Sequence, residues 1–116
     1  MGATIQTELP VITKAYSLLR EMTRRTSKLP RDLKFVLGDR MLNTSYEILE
    51  TLIAARYAND KRELIFRANL SIERLRFQVR ICFDEKLISE KQYEYICGLI
   101  LETGRMVGGW LKSVTK

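Results

Sequence analysis

An all-α fold, an antiparallel four-helix bundle, is what three features of this 116-residue chain predict. Apolar residues recur at steps of three and four along four separate stretches, and nowhere do they alternate as a strand requires. Helix-start signals stand at Pro10, around Pro30, at Asp60 and at Ser89, leaving only short connections. No linker, internal repeat or shift of composition divides the chain, so residues 1–116 read as one domain with an adequate core, residues 1–8 being expected to fray.

Pro10 suits the first turn of a helix, because its missing N–H has no partner there in any case. Ile12, Ala15, Tyr16, Leu19 and Met22 follow on one face. Arg20, Arg24 and Lys28, at steps of four, form a basic row beside it, with Arg25 close by. Pro30 is expected to end this helix or sharply redirect it.

A second helix is expected from around Pro30–Asp32 to Tyr57. Phe35, Leu42, Tyr46, Leu49 and Ile53 form its central stripe, widened by Leu37, Met41, Ile48 and Leu52. Gly38 inside it costs about 1 kcal/mol of helix stability against alanine, which a close helix contact would explain.

Asp60 and Glu63 have capping-box spacing and open a third helix that ends near Lys86. This helix carries two apolar stripes. Ile65, Ala68, Ile72, Leu75, Val79 and Cys82 make the first, at heptad-like spacing. Phe66, Leu70, Phe77 and Ile81 make the second, which at 100° per residue points to nearly the opposite side. Arg67, Arg74, Arg76 and Arg80 edge it. A small bundle needs one apolar face per helix, so the second stripe predicts an interface with another subunit.

The chain turns near Leu87 and Ile88, and Ser89 with Gln92 forms another capping box. Tyr93, Ile96, Cys97, Ile100, Gly104, Val107 and Leu111 line the inner face of the fourth helix, flanked by Leu99, Met106 and Trp110. Gly104 and Gly108, four apart, are expected to let another backbone come close.

Composition limits the chemistry. No apolar run approaches the roughly 20 residues that span a bilayer, and the start lacks a signal-peptide pattern, so a cytoplasmic protein without a membrane partner is expected. Cys82 and Cys97 both fall on apolar helix faces, at unequal distances from the last turn, which predicts two reduced thiols. There is no histidine. That removes the commonest general base and argues against a zinc or di-iron site, so no metal and no cofactor is expected. Glu47, Glu50, Glu90, Glu94 and Glu102 lie mostly on polar faces without an acid–base pair. The run Gly104–Trp110 is glycine-rich but sits inside a helix, where a phosphate loop does not form. No catalytic residue emerges, and the chain is not expected to be an enzyme.

Charge is the remaining signal. Net charge is +6, and residues 20–40 hold seven Lys and Arg against three acids, while residues 61–86 hold seven against four. Arginine dominates both, and it suits bidentate phosphate contact and stacking on bases. Arg20, Arg24, Arg25, Lys28 and Arg31 around the end of the first helix, with Arg67, Arg74, Arg76 and Arg80 on the third, are the candidate contacts to nucleic acid or an acidic protein surface. A solvated, non-binding face remains the competing reading of the same charges.

Lys28-Leu-Pro-Arg-Asp-Leu-Lys-Phe-Val-Leu-Gly-Asp-Arg40 and Ala55-Arg-Tyr-Ala-Asn-Asp-Lys61 resemble the accessory variability determinant proteins of diversity-generating retroelements. The resemblance continues through Arg67-Ala-Asn69, Glu73-Arg-Leu-Arg76, Gln92-Tyr-Glu94 and Gly104-Arg-Met-Val-Gly-Gly-Trp110, and covers Lys28 to Lys112. A broader relative is the four-helix-bundle family encoded in intervening sequences of bacterial 23S ribosomal RNA genes. Its Ser-Ile-x-x-Asn-Ile-Ala-Glu-Gly motif is not matched by Ser45-Tyr-Glu-Ile-Leu-Glu-Thr-Leu-Ile53, which makes the retroelement branch the closer fit. The resemblance implies a basic, barrel-like homopentamer of four-helix bundles that binds the element's reverse transcriptase and nucleic acid, RNA or DNA; binding through arginine–phosphate contacts is expected to ignore sequence. It implies support of mutagenic copying of template RNA into complementary DNA. The alternative is an oligomeric scaffold of the ribosomal intervening-sequence type whose charge serves solubility.

Overall fold

The structure, a computed structural model, describes residues 8–115, so the expected fraying of residues 1–8 lies outside the described residues except at exposed Glu8. Four long helices carry it: α1 (Pro10–Thr26), α2 (Asp39–Tyr57), α3 (Arg62–Asp84) and α4 (Glu90–Val114). Among the described residues there is no strand. Each helix packs on its neighbours in sequence, α1 on α2, α2 on α3, α3 on α4, and α4 closes against α1. That is an antiparallel four-helix bundle.

The inner stripe of α3 is the axis of the core. Ile65, Ala68, Ile72, Leu75, Val79 and Cys82 are all buried, against Ile12, Ala15, Leu18 and Met22 of α1, Met41, Ile48, Leu52 and Ala55 of α2, and Ile96, Ile100 and Val107 of α4. On α1 the expected face holds except at Tyr16, which is 51% exposed, while Val11 and Leu18 are buried in addition.

The approach to α2 differs from the expected single helix. One α-turn (Arg31–Leu33) opens on the Pro30 carbonyl, which accepts from the N–H of Leu33 and Lys34 at 2.9 and 2.8 Å. A π-turn (Lys34–Gly38) follows, in which the Asp39 N–H reaches back to the Lys34 carbonyl. Phe35 stands 66% exposed there, and Tyr46 and Ile53 are also exposed, so the expected central stripe is not the core face. The buried face is Met41, Thr44, Ser45, Ile48, Leu52 and Ala55. Thr44 and Ser45 sit inside because their hydroxyls donate to the carbonyls of Arg40 and Met41, at 2.8 and 2.9 Å, which satisfies them without water. At Gly38 a Cβ would lie 3.3 Å from Leu29 Cδ1 and 3.5 Å from Thr26 Cβ, so the glycine does serve a close contact, with the connection that leaves α1.

The Asp60–Glu63 capping box does not form. Asp60 instead accepts from the backbone N–H and side chain of Arg62, which holds its carboxyl below the usual range. Lys61 points the other way: its Nζ donates to the carbonyls of Ala55, Arg56 and Ala58 at 3.1, 2.8 and 2.8 Å, closing the end of α2. The Ser89–Gln92 box does form, with both reciprocal bonds present. Before it, α3 ends in a Schellman turn: the N–H of Lys86 bonds the Phe83 carbonyl and that of Leu87 bonds the Cys82 carbonyl. Phe83 and Tyr93 stack at 4.3 Å between ring centroids, 7° from parallel, and fasten the α3–α4 hairpin.

On α4, Thr103 is buried beside the expected Ile96, Ile100 and Val107. The expected close approach at Gly104 and Gly108 is not made among the described residues. A Cβ on Gly104 would meet Ile72 Cγ2 at an ordinary 3.7 Å, and one on Gly108 would meet nothing within 4 Å. Both thiols are free, Cys82 buried and Cys97 half-buried.

Candidate nucleic-acid interface

The second stripe of α3 faces away from the bundle. Phe66, Leu70, Phe77 and Ile81 are each about half exposed (51, 50, 48 and 50%). Their placement follows from the helical period: with the inner stripe held by the core, residues about 180° away have no helix among the described residues packed over them. Leu70 and Phe77 line an open groove with Arg40, Glu73, Arg74 and Gln78. The Gln78 side-chain oxygen is buried there without a hydrogen-bond partner among the described residues. Phe66 lies in a second groove with Arg62 and Leu111.

Three of the four arginines beside this stripe are held by acids. Arg74 reaches Glu47 of α2 at 3.3 Å and also donates to Ser71 Oγ. Arg76 pairs with Glu73, and its guanidinium lies 4.8 Å from the centroid of the Phe77 ring. That hydrogen bond holds the Glu73 carboxyl below the ordinary range. Arg80 stands 3.8 Å from Asp84. Arg67 is exposed with no ion pair among the described residues, and thirteen residues of helix place it ~20 Å along the axis from Arg80.

The cluster around the end of α1 divides as well. Arg24 and Arg25 both bind Glu21, at 2.8 and 2.7 Å, and Glu21 is 2% exposed. Burial pushes the Glu21 carboxyl up, but the hydrogen bonds and charges of Arg25 and Arg24 outweigh it and hold it below its ordinary range. Arg20, Lys28 and Arg31 are exposed and unpaired among the described residues. Antiparallel packing brings the end of α1, the start of α2 and the end of α3 to one end of the bundle. There Arg25 lines a cavity of about 10 Å³, with Met22, Met41, Val79, Cys82 and Ile96, that holds at most one water. Of the nine candidates, Arg74 and Arg76 lie near the middle of α3 and Arg67 towards its opposite end, ~25 Å along the axis from Asp84.

Two contributors escaped the sequence. Arg40 sits inside the counted basic stretch, yet only its place in the groove with Leu70 and Phe77 marks it out. Glu21 is three and four residues before Arg24 and Arg25, spacing that signals helix ion pairs.

For chemistry the described residues offer little. No three His, Cys, Asp or Glu side chains among them gather as metal ligands. Glu47 is engaged by Arg74 and Glu102 by Arg105. No helix among the described residues is long and apolar enough to cross a membrane. The surface can offer cations, exposed aromatics and an apolar strip.

Against curated proteins the chain finds no significant match. A family model described as bAvd-like matches residues 10–114, the whole four-helix bundle, and the chain belongs to that bAvd-like family of accessory variability determinant proteins.

Proposed function

We propose that this protein is the basic accessory subunit of a diversity-generating retroelement reverse transcriptase, a cytoplasmic homo-oligomer, as a pentameric barrel, that binds RNA or DNA while the polymerase copies template RNA into mutated complementary DNA. The family match over residues 10–114 carries this reading. The exposed stripe Phe66, Leu70, Phe77 and Ile81 supports self-assembly, because a continuous apolar strip left in water is unfavourable and promotes association. Arg20, Lys28, Arg31 and Arg67, unpaired among the described residues, support contact with phosphates, which positions a strand without reading its sequence. The protein holds no metal or cofactor of its own and leaves the chemistry to the polymerase.

One observation favours a second reading. Arg24, Arg25, Arg74, Arg76 and Arg80 each have a carboxylate partner, so much of the basic surface is internally compensated, as in a scaffold whose charge serves solubility.

Sedimentation and titration of the purified protein separate them. The accessory-subunit reading expects an oligomer at micromolar concentration that Phe77→Glu dissociates into helical monomers. It also expects binding of labelled DNA and of an RNA–DNA hybrid that weakens steeply with salt, with a log–log slope of about −0.9 per neutralised phosphate on duplex DNA. An oligomer that binds neither nucleic acid nor the purified polymerase is the scaffold.

A further inference from the structure

The segment from Lys28 to Arg40 departs from the rest of the bundle in two ways. Its backbone passes through the π-turn Lys34–Gly38, a rare geometry met mostly as single turns and often at functional sites. And it displays two adjacent large apolar side chains, Phe35 at 66% and Val36 at 64% exposure, where the core is already closed by Leu29 and Met41. A single exposed apolar residue is ordinary, but these two share their segment with Lys28, Arg31, Lys34 and Arg40. None of those four cations has an ion-pair partner among the described residues, although Asp32 and Asp39 lie in the same segment. Arg24 and Arg25 at the end of α1, and Arg74, Arg76 and Arg80 on α3, are by contrast held by Glu21, Glu47, Glu73 and Asp84.

Arg31 and Phe35 are four residues apart across the first turn and so share one side. Arg40 follows a turn later and leads into the groove of Leu70, Arg74 and Phe77 on α3. We propose that this turn is a single-strand contact, in which an unpaired base stacks on Phe35 while Arg31, Lys34 and Lys28 hold the flanking phosphates. An apolar protein partner would use Phe35 and Val36 but leave the cations idle. An acidic one would use the cations but not the ring. A nucleotide strand offers a flat apolar face and an anion at every residue, which matches both. A duplex does not, because its bases are already stacked. The inference rests on the nucleic-acid reading above and names the strand form it takes.

The test uses the intact oligomer, a labelled oligo(dT) strand and a duplex of equal length. Phe35→Ala is expected to lower affinity for the single strand by roughly five- to 150-fold, the range of one lost base–aromatic stack, with duplex affinity and the salt slope unchanged. Phe35→Trp is expected to restore binding. Arg31→Ala is expected to shallow the single-strand salt slope by about 0.7. Because Phe35 is mostly exposed, the variants keep their helicity, and circular dichroism checks that. Wild-type affinity in Phe35→Ala overturns the proposal while leaving general nucleic-acid binding in place. Loss of polymerase binding in that variant, with the strand still bound, overturns it and makes the turn a protein dock. A wild-type protein that binds no strand overturns both readings.

Discussion

The Arg74 guanidinium stands 3.3 Å from Glu47 Oε1, 27 positions away in sequence, and among the described residues this is the one ion pair that joins two helices. Both partners are about half exposed, so solvent screens the attraction and the pair contributes about 0–1 kcal/mol. Arg74→Gln should therefore lower urea-unfolding stability by less than about 1 kcal/mol. Arg74→Glu is a different experiment, because it sets a third carboxylate beside Glu47 and Glu73. A loss of nucleic-acid binding in the glutamate variant but not in the glutamine one reports repulsion, not a lost contact.

Lys61 closes the end of α2 with three hydrogen bonds from one ammonium. Its ammonium answers three carbonyls at the end of α2, groups that a helix otherwise leaves to water. The positive charge also sits at the negative end of the helix dipole. Lys61→Met keeps the aliphatic stem and removes both effects. Chemical unfolding should show a loss of about 1–3 kcal/mol.

Lys86 carries φ of 63° at the turn after α3, a backbone region where a Cβ crowds its own chain. Glycine has no such cost and is the usual residue at this place in a Schellman turn. Lys86→Gly should raise stability by about 0.5–1 kcal/mol, and Lys86→Val should lower it. Thermal unfolding of the pair reads the sign directly.

The inner stripe of α3 could be read in the sequence at all six expected positions, since apolar side chains at a clean helical period leave one way to bury them; only Ser71 joins the buried face unannounced. The core face of α2 could not. Thr44 and Ser45 dilute its apolar signal, and the bonds that make them tolerable inside run to their own helix. Phe35, Leu42, Tyr46, Leu49 and Ile53 then offer a better periodic stripe that is not the buried one. Asp60 had a cap's spacing, but Arg62 took its carboxylate. Of the candidate interface, the cations were visible as residues, while the partners that occupy them were not. Arg74 finds Glu47 only because α2 and α3 pack side by side.

The two thiols should differ in reactivity. Burial raises the Cys82 pKa to about 11, and its sulfur lies 3.5 Å from Met41 Sδ inside the core. The thiolate is the reactive form, so native Cys82 should resist a thiol reagent at pH 8 until the protein unfolds. Half-buried Cys97 should react first. Two equivalents consumed at one rate in the native protein would contradict this placement.

Glu21 links stability to the candidate interface. Its carboxylate is buried under Arg24 and Arg25, and its folded pKa lies below the ordinary 4.5 despite burial, which acts the other way. A group with a depressed folded pKa stabilises the fold above its unfolded pKa, and that contribution is lost as pH falls through the folded value. Wild-type stability should thus decline below about pH 4.5, and Glu21→Gln should flatten that part of the decline. At pH 7 the same variant should cost about 1–3 kcal/mol, the scale of hydrogen bonds to charged groups. It also releases two guanidinium groups that Glu21 now occupies. If the end of α1 meets phosphates, Glu21→Gln should bind labelled DNA more tightly than wild type at low salt and show a steeper salt slope. The gain should vanish when Arg24 and Arg25 are changed to Gln in the same background. A flatter pH profile without any gain in affinity would keep Glu21 as a structural anchor and remove Arg24 and Arg25 from the interface.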